Sequence, residues 1–464
     1  MIRHLVTLSA CLCLSVSASA SAAEDAKAVS ARIRAAIADP AGLAAPGCAV
    51  GVFRDGRIAA TAVSGAADVG TRRPIETNTQ FYAASVSKHF TAVAVMQLVL
   101  EGRVHLDDDI RTYLPEMPTY QRPVTVHMLL NHTAGIRDSL MLLILNGQVD
   151  WSADTRADAL RLTLKQGQTD FEPGTQYAYS NGGYLLLSEI VERVANVPFD
   201  RYMAERVLRP VGMTRSYILS GTRPAGSNVA HGYAVQNGAV RQADDYPLFG
   251  GSGGLITTIG DLAKWDHDID SGHRVWTPAL LKLMIEPGRF NNGAKVTLGV
   301  PDNYYASGLA VGPNWFSHGG AANGFKNFVA RNPKDRLGIA LLCNRSDVAP
   351  DERTDEIIAA INTDLPRVQL HEYAVTAPPV DSSALNGRYR SEDLDAVYQL
   401  EAKGDEGLEI TVLGPDGAIR NKVALKRAAG GAYKAAGLEL RPDGDRNGFE
   451  LSAVRVTMHF GRAT

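Results

Sequence analysis

Strand-like segments lie near both ends of a long helical stretch, and this arrangement limits the fold more than any other feature of the sequence. Cys48 to Phe53 and Ile58 to Val63 flank an Asp-Gly turn, which predicts a β-hairpin. Strand signals return much later, in the segments Gly308 to Val311, Asn314 to His318, Phe325 to Arg331 and Leu337 to Cys343. Because strands and helices do not alternate as they do in parallel sheets, we expect an α+β fold, with one antiparallel sheet built from both ends and flanked by helices.

The residues between these two groups of strands are mostly helical in pattern. From about 105 to 248 they predict an inserted all-α lobe, with helical runs at Val126 to Leu130, Arg156 to Lys165, Gly183 to Val194 and Pro198 to Val207. Before this lobe, Thr91 to Leu100 is apolar nearly all round, which predicts a helix buried in the core.

The last part of the chain has the composition of a separate small domain. Residues 376–383 (Thr-Ala-Pro-Pro-Val-Asp-Ser-Ser) are typical of a linker. Short alternating runs separated by turns such as Pro415-Asp-Gly417 follow, and they predict an antiparallel, barrel-like all-β domain over 384–464. A chain of 464 residues with 45% hydrophobic content can bury the cores of both this domain and a larger one over 23–375.

The first 22 residues have the pattern of a secretory signal peptide. Arg3 precedes an uncharged apolar stretch, Leu5 to Val16, and an A-x-A cleavage signal ends at Ala22. The stretch is too short to cross a bilayer as a helix. We therefore expect a periplasmic or secreted protein with no integral membrane segment after cleavage. Leu8 to Cys11 also resembles a lipoprotein box, an alternative that the continuing apolar stretch disfavours.

Charge and histidine spacing exclude two classes of function. The 47 basic and 50 acidic residues give a net charge of −3 without a long run of either sign, which argues against a nucleic-acid partner. The histidines show no metal-ligand spacing, so we expect neither a metal nor another cofactor. The expected partner is a small-molecule or peptide substrate, and the sequence leaves the oligomeric state open.

Ser85-x-x-Lys88 opens the buried helix and is the first candidate for chemistry. Residues three apart share a helix face, so the ammonium and the hydroxyl can come within hydrogen-bond reach. A desolvated lysine can act as the base that activates a serine hydroxyl. The motif also arises by chance at helix caps, but an unpaired lysine in an apolar helix is costly, which favours a role for Lys88.

Two further motifs with residues that could take part in catalysis follow along the chain. Tyr179-Ser-Asn181 stands at a helix start, where a phenol can act as a general base and a carboxamide can orient a substrate. His318-Gly319-Gly320-Ala321 lies at a strand end, where glycines let a substrate approach the backbone and an amide can bind an oxyanion. Each motif alone is more often structural, whereas the three in this order are a strong signal together.

With these motifs the chain resembles the serine β-lactamase and penicillin-binding-protein superfamily. The resemblance covers roughly Asp25 to Thr363 and points to the branch with class C β-lactamases, DD-carboxypeptidases, esterases and D-aminopeptidases. Gly135-Ile-Arg-Asp138, His318-Gly-Gly320 and the segment Gly387 to Asp395 are most similar to the D-aminopeptidase subgroup.

The resemblance implies a role for each motif residue. Ser85 would be the acylated nucleophile, Lys88 its proton acceptor and Tyr179 the acid/base that activates the deacylating water. Asn181 would orient the scissile group, and the backbone N–H groups of Ser85 and Ala321 would form the oxyanion hole.

Two departures from the family pattern bear on the substrate. His318 stands where many relatives have lysine, and Gly319 stands where they have threonine. A neutral histidine and a glycine hold a substrate carboxylate less well than lysine and a hydroxyl do. We therefore expect a hydrolase of small amides, peptides or D-amino-acid substrates. An esterase or weak β-lactamase or DD-carboxypeptidase is an alternative, and a non-catalytic penicillin- or peptidoglycan-recognising protein is an alternative of another class.

The resemblance also bears on the cysteines and on a second serine motif. The family's sheet order brings Cys48 near Cys343, where a disulfide and two buried thiols are both open alternatives.

Gly250-Gly-Ser252-Gly-Gly254 matches the G-x-S-x-G pattern, but it lacks the strand and helix that a nucleophile elbow needs. We expect Ser252 in a glycine loop that borders the cleft.

Overall fold

A computed structural model describes most of the chain outside its N-terminal segment. The described residues are 27–148, 155–220, 228–244, 246–247, 250–361, 385–403, 407–428, 432–435, 437–443, 448–454 and 456–463. The predicted signal peptide (1–22) and the predicted linker (376–383) lie outside them.

The helices are α1 (27–37), α2 (Ser87–Leu100), α3 (Val126–Leu130), α4 (Ser139–Leu145), α5 (Thr155–Leu164), α6 (Asn181–Ala195), α7 (Phe199–Tyr202), α8 (Ile259–His267), α9 (Pro278–Ile285) and α10 (Pro350–Ile361). The strands of the larger domain are β1 (Cys48–Arg54), β2 (Arg57–Ser64), β3 (Ala66–Asp68), β4 (Arg73–Pro74), β5 (Phe81–Tyr82), β6 (Tyr217–Ile218), β7 (Tyr233–Gln236), β8 (Ala239–Gln242), β9 (Leu255–Thr257), β10 (Tyr304–Tyr305), β11 (Ala310–Val311), β12 (Phe316–Ala322), β13 (Phe325–Asn332) and β14 (Leu337–Cys343).

The central sheet confirms the α+β prediction. Its seven strands are all antiparallel, in the order β10-β11-β12-β13-β14-β1-β2. The first strand of the chain thus pairs with the last strand of the domain. Helices cover both faces, with α1 and α10 on one side and α8 on the other, and the nearly all-apolar α2 is buried beyond α8.

The pairing of β1 with β14 places Cys48 directly opposite Cys343. Their Cα atoms are 4.1 Å apart and their sulfurs are bonded. The disulfide alternative is therefore the one observed.

The helical segment differs from the predicted all-α lobe in its last third. The helices α3, α5, α6 and α7 begin within two residues of the four predicted runs, whereas α4 was not predicted, and α7 continues as a π-helical turn over Met203–Leu208. The hairpin of β7 and β8 then interrupts the helical pattern, turning at Asn237 and Gly238, both at positive φ. An Asn-Gly pair between alternating residues is a strong hairpin signal, so this correction could have been made from the sequence.

The C-terminal domain is a closed, eight-stranded antiparallel barrel, as its alternating runs predicted. Its strands are β15 (Gly387–Arg390), β16 (Val397–Ala402), β17 (Gly407–Leu413), β18 (Ile419–Arg427), β19 (Tyr433–Ala435), β20 (Leu438–Pro442), β21 (Gly448–Ala453) and β22 (Val456–Arg462). Large aromatic side chains fill its interior, namely Tyr389, Tyr398, Tyr433, Phe449 and Phe460. The barrel interior is thus a packed core.

Within the described ranges, no helix combines the length and the apolar character that spanning a bilayer requires. The same ranges hold no cluster of three or more His, Cys, Asp or Glu residues placed to bind a metal.

Candidate active site

Ser85 lies on a 3-10 turn, Ala84–Val86, between β5 and α2. Ala84, just before it, has φ +50°, a conformation that costs an L-residue energy and that clusters at functional sites. Ser87 braces the turn, because its hydroxyl donates to Ala84 O at 2.6 Å and accepts from Leu255 N at 3.0 Å. The nucleophile candidate therefore sits on a fixed, strained turn at the edge of the core.

Lys88 is fully buried one turn further on, and its ammonium has three acceptors. Nζ lies 3.1 Å from Ser85 Oγ, 2.7 Å from Asn181 Oδ1 and 2.8 Å from the carbonyl oxygen of Ser252. The ring of Tyr179 adds a cation–π contact at 4.7 Å. Three N–H donors meet three acceptors, which offsets much of the cost of burying the charge. The distance to Ser85 Oγ is within reach of direct proton transfer.

The orientation of Asn181 is set by a residue without a predicted role, Asp138. One carboxylate oxygen accepts from both the backbone N–H and the side-chain amide of Asn181, at 2.9 and 2.8 Å. The other oxygen caps α4 through Leu140 N and Met141 N at 2.9 and 3.1 Å. Asn181 must therefore present its oxygen to Lys88. The sequence signal for Asp138 was its place before an apolar helix, which marks an N-cap but does not reveal the partner.

Tyr179 is half-buried, two residues before α6 begins. Its ring lies over the Lys88 ammonium and against the ring of His132, with centroids 4.2 Å apart. The structure therefore brings the Tyr-x-Asn and Ser-x-x-Lys motifs together.

His318 ends a directed series of hydrogen bonds. Ser180 N–H donates to His132 Nδ1 at 3.1 Å, so neutral His132 carries its proton on Nε2, 3.1 Å from the Tyr305 hydroxyl. Tyr305 in turn donates to His318 Nε2 at 3.0 Å, which leaves the His318 proton on Nδ1, 2.5 Å from Gly319 O. Neither His132 nor Tyr305 belongs to the three motifs, so the motifs did not place them at the site.

His318 is neutral in this setting. Burial, together with the nearby Lys88 ammonium, lowers its pKa from 6.5 to about 3. It therefore carries no charge at neutral pH with which to bind a substrate carboxylate. The neighbouring Gly319 adds no hydroxyl, although a Cβ there would meet nothing closer than Phe328 Cδ2 at 3.6 Å.

The predicted strand end is instead the middle of β12, which runs on to Ala322. Gly320 lets this strand approach the nucleophile turn, because a Cβ there would lie 2.2 Å from Ala83 O. The next residue, Ala321, is exposed and lines the same cleft as Ser85. This placement suits a pair of backbone N–H donors facing one substrate oxygen.

The cleft has a volume of about 600 Å³. It is lined by Tyr82, Ala84, Ser85, Leu140, Met141, Ile144, Asn181, Tyr246, Pro247, Ser252, Gly253, Ala321, Ala322 and Asn323. None of these described residues has a charged side chain, and the three from α4 form an apolar wall. Ser252 lies in the glycine loop at the border, as expected, and contributes its carbonyl oxygen.

Comparison with known proteins agrees with this geometry. The Beta-lactamase family model matches residues 33–363, which is most of the chain. The chain belongs to the beta-lactamase family. This confirms the predicted superfamily and its serine hydrolase class.

Two curated relatives are D-aminopeptidases. The one from Cereibacter sphaeroides is 27% identical over 328 residues, covering 69% of this chain and 61% of the relative. The one from Brucella anthropi is 30% identical over 284 residues, covering 61% and 52%. The chain thus spans between half and two thirds of the length of these relatives.

Solved structures share the fold of this family member. SurE superposes with a TM-score of 0.61 at 22% identity, over 96% of this chain and 99% of that one, and it has also been solved with D-Leu. A D-stereospecific amidohydrolase from Streptomyces sp. superposes with a TM-score of 0.58 at 20% identity, over 74% of this chain and 99% of that one. At these identities the likeness concerns the fold alone.

Proposed function

We propose that this protein hydrolyses small amides, peptides or esters through an acyl-enzyme formed on Ser85, with apolar D-amino-acid derivatives as the leading substrates. The observation that carries the proposal is the buried Lys88 ammonium nitrogen, 3.1 Å from Ser85 Oγ on a strained turn. An ordinary surface serine has no such neighbour.

The proposed reaction has two halves. Once the Lys88 ammonium has given up one proton, its amine accepts the proton of Ser85 Oγ as this oxygen attacks the substrate carbonyl carbon. The backbone N–H groups of Ser85 and Ala321 stabilise the oxyanion. Lys88 passes this proton to the leaving group, which departs and leaves the acyl group on Ser85. In the second half Tyr179, as a phenolate beside Lys88, takes a proton from the water that attacks the acyl group, and this proton passes to Ser85 Oγ as the acid is released.

The lining of the cleft supports the substrate class. Neutral His318 and the glycine at 319 offer little to a free carboxylate, which disfavours β-lactams and DD-carboxypeptidase substrates. The wall of Leu140, Met141 and Ile144 suits an apolar side chain. The names of the relatives, two D-aminopeptidases and a D-stereospecific amidohydrolase, and the D-Leu bound by SurE are consistent with a D configuration.

A substrate panel with a matched serine control tests the proposal. We expect D-leucine p-nitroanilide to be hydrolysed faster than its L isomer and a chromogenic cephalosporin to be hydrolysed slowly. A fluorophosphonate probe should label the wild type and Ser252→Ala but not Ser85→Ala. Preference for p-nitrophenyl esters would favour the esterase alternative, and absence of labelling in the wild type would contradict a serine hydrolase mechanism.

We also propose that the protein is exported to the periplasm or beyond. The apolar segment within residues 1–22 and the Cys48–Cys343 disulfide both support this, because disulfides persist in oxidising compartments. Fractionation of cells that make the full-length chain, followed by mass measurement of its N-terminus, tests it. A protein recovered in the cytoplasm with Met1 retained would contradict export.

A further inference from the structure

Two sequence motifs that the proposed reaction does not use meet at the boundary between the domains. Arg137, from Gly135-Ile-Arg-Asp138, is largely buried, and its Nη1 lies 2.7 Å from Oδ2 of Asp393, in the barrel loop between β15 and β16. Its Nε donates to Asp170 at 2.9 Å and Nη1 also donates to Gln166 at 2.7 Å. Gln166 returns to the barrel by donating to the carbonyl oxygen of Asp393 at 3.0 Å. The barrel thus holds one arginine in a fixed position.

The residue after this arginine is Asp138, which orients Asn181 and caps α4. The main chain between them is packed tightly, since a Cβ on Gly182 would lie 2.5 Å from the carbonyl oxygen of Arg137. A shift of Arg137 would therefore move the Asp138 carboxylate, and with it the amide oxygen that binds Lys88. Three contacts therefore connect the barrel to the proposed base, namely Asp393 with Arg137, Asp138 with Asn181, and Asn181 with Lys88.

The barrel also holds the far end of α4, the helix that forms the apolar wall of the cleft. The Tyr398 hydroxyl donates to Leu145 O, and Arg420 Nη1 donates to Asn146 O at 3.0 Å. On the side of α4 away from the cleft, Leu142, Leu143 and Leu145 share one apolar core with the barrel aromatics. The far end of this helix is therefore bonded to the barrel directly, and its near end is connected to the barrel through Asp138 and Arg137.

We propose that Asp393 is a positioning residue, which acts through Arg137 and Asp138 to align Asn181 and α4 for reaction at Ser85. The C-terminal barrel is then a part of the catalytic apparatus that touches no reacting atom. This inference rests on the proposed acyl-enzyme function. Asp393 is one of two carboxylates that Arg137 binds, and its loss leaves the partly buried guanidinium with Asp170 alone.

The same interface supplies a matched control. Asp395 pairs with Arg161 and Lys165, which lie on and just after α5 and whose described hydrogen bonds and ion pairs do not include the Asp138 segment. Asp393→Ala and Asp395→Ala each remove one interdomain carboxylate. The two variants differ in whether that carboxylate leads to Asn181.

The test compares full-length variants by the rate at which a small fluorophosphonate labels Ser85 and by kcat and KM for D-leucine p-nitroanilide. We expect Asp393→Ala to lower the labelling rate and kcat about tenfold, the effect of one charged hydrogen bond. Asp395→Ala should stay within about twofold of the wild type, because the ion pairs that it removes do not lead to Asn181. Asp393→Asn, which keeps an acceptor for Arg137, should recover part of the loss.

The outcomes separate the two proposals. A wild type that is not labelled refutes the acyl-enzyme function itself. A labelled wild type with equal losses in both alanine variants, or with no loss in Asp393→Ala, refutes the positioning role. If Asp393→Ala fails to fold by circular dichroism, the comparison passes to Asp393→Asn, whose labelling rate at wild-type level would likewise refute it.

Discussion

Replacing Asp138 by asparagine tests how one carboxylate supports both the fold and the proposed chemistry. The carboxylate accepts four hydrogen bonds, two from the start of α4 and two from Asn181. An asparagine of the same shape has only one acceptor oxygen, so its NH₂ group must face one of these pairs of N–H donors. Two buried N–H groups then lose their acceptor.

The size of the effect follows from these contacts. Two buried donors without acceptors cost about 3 kcal/mol of the free energy of unfolding. If Asn181 turns its amide to meet the new NH₂ group, its own NH₂ group faces the Lys88 ammonium in place of the oxygen now 2.7 Å away. The loss of that charged hydrogen bond corresponds to about a hundredfold slower acylation.

The assay is the labelling rate of Ser85 by a fluorophosphonate, measured beside urea denaturation. Asp109→Asn is the matched control, because Asp109 caps a different turn through Arg111 N. It should cost less than about 1 kcal/mol and leave labelling unchanged. A folded Asp138→Asn protein that is labelled within twofold of the wild-type rate would refute the role given to this carboxylate.

The remaining predictions concern buried histidines and the strand beside Ser85. Burial lowers the pKa of His89 and of His318 from 6.5 to about 3. Between pH 3 and pH 6.5 the unfolded chain binds more protons than the folded protein. The contribution of each histidine to the free energy of unfolding is therefore fully present above pH 6.5 and falls toward pH 3, with a loss of about 2 kcal/mol per histidine at pH 5. His89→Gln should remove about half of this loss in denaturation at pH 5 and 7, and a pH slope equal to that of the wild type would contradict the prediction. In Gly320→Ala the new Cβ would lie 2.2 Å from Ala83 O, so we expect the free energy of unfolding to fall by about 1–3 kcal/mol and the labelling of Ser85 to slow. Gly319→Ala should change neither quantity. Equal melting temperatures and labelling rates in the two variants would contradict this prediction.

The parts of the site that the sequence predicts are those that local spacing controls. Ser85 and Lys88 are one turn apart, and Asn181 begins a helix, so each could be placed from its neighbours. Their partners lie far along the chain. The Ser252 carbonyl is 164 residues from Lys88, and Tyr305 is 173 from His132, so only the folded sheet brings them together.

One turn in the barrel is another feature that the sequence pattern does not predict. Strand β21 ends at Ala453 and β22 begins at Val456, so the chain turns there. Val454 adopts φ +46° there, a conformation that β-branched residues rarely accept. No glycine or asparagine marked the turn, so alternation alone predicted a barrel but not all of its strands. The barrel closes because its first strand, β15, pairs with its last strand, β22, and this long-range pairing is also not visible in the sequence pattern.

The pairing of β1 with β14 has a consequence for when this protein can fold. The middle of the central sheet can form only after Cys343 has been synthesised, 295 residues after Cys48. A ribosome that is still making the helical segment therefore holds a chain whose main sheet lacks its centre, and closing so large a loop is slow. Late completion of the sheet keeps the chain open through most of its synthesis. Under the proposed export, this delay would keep the chain unfolded for its passage through a translocation pore.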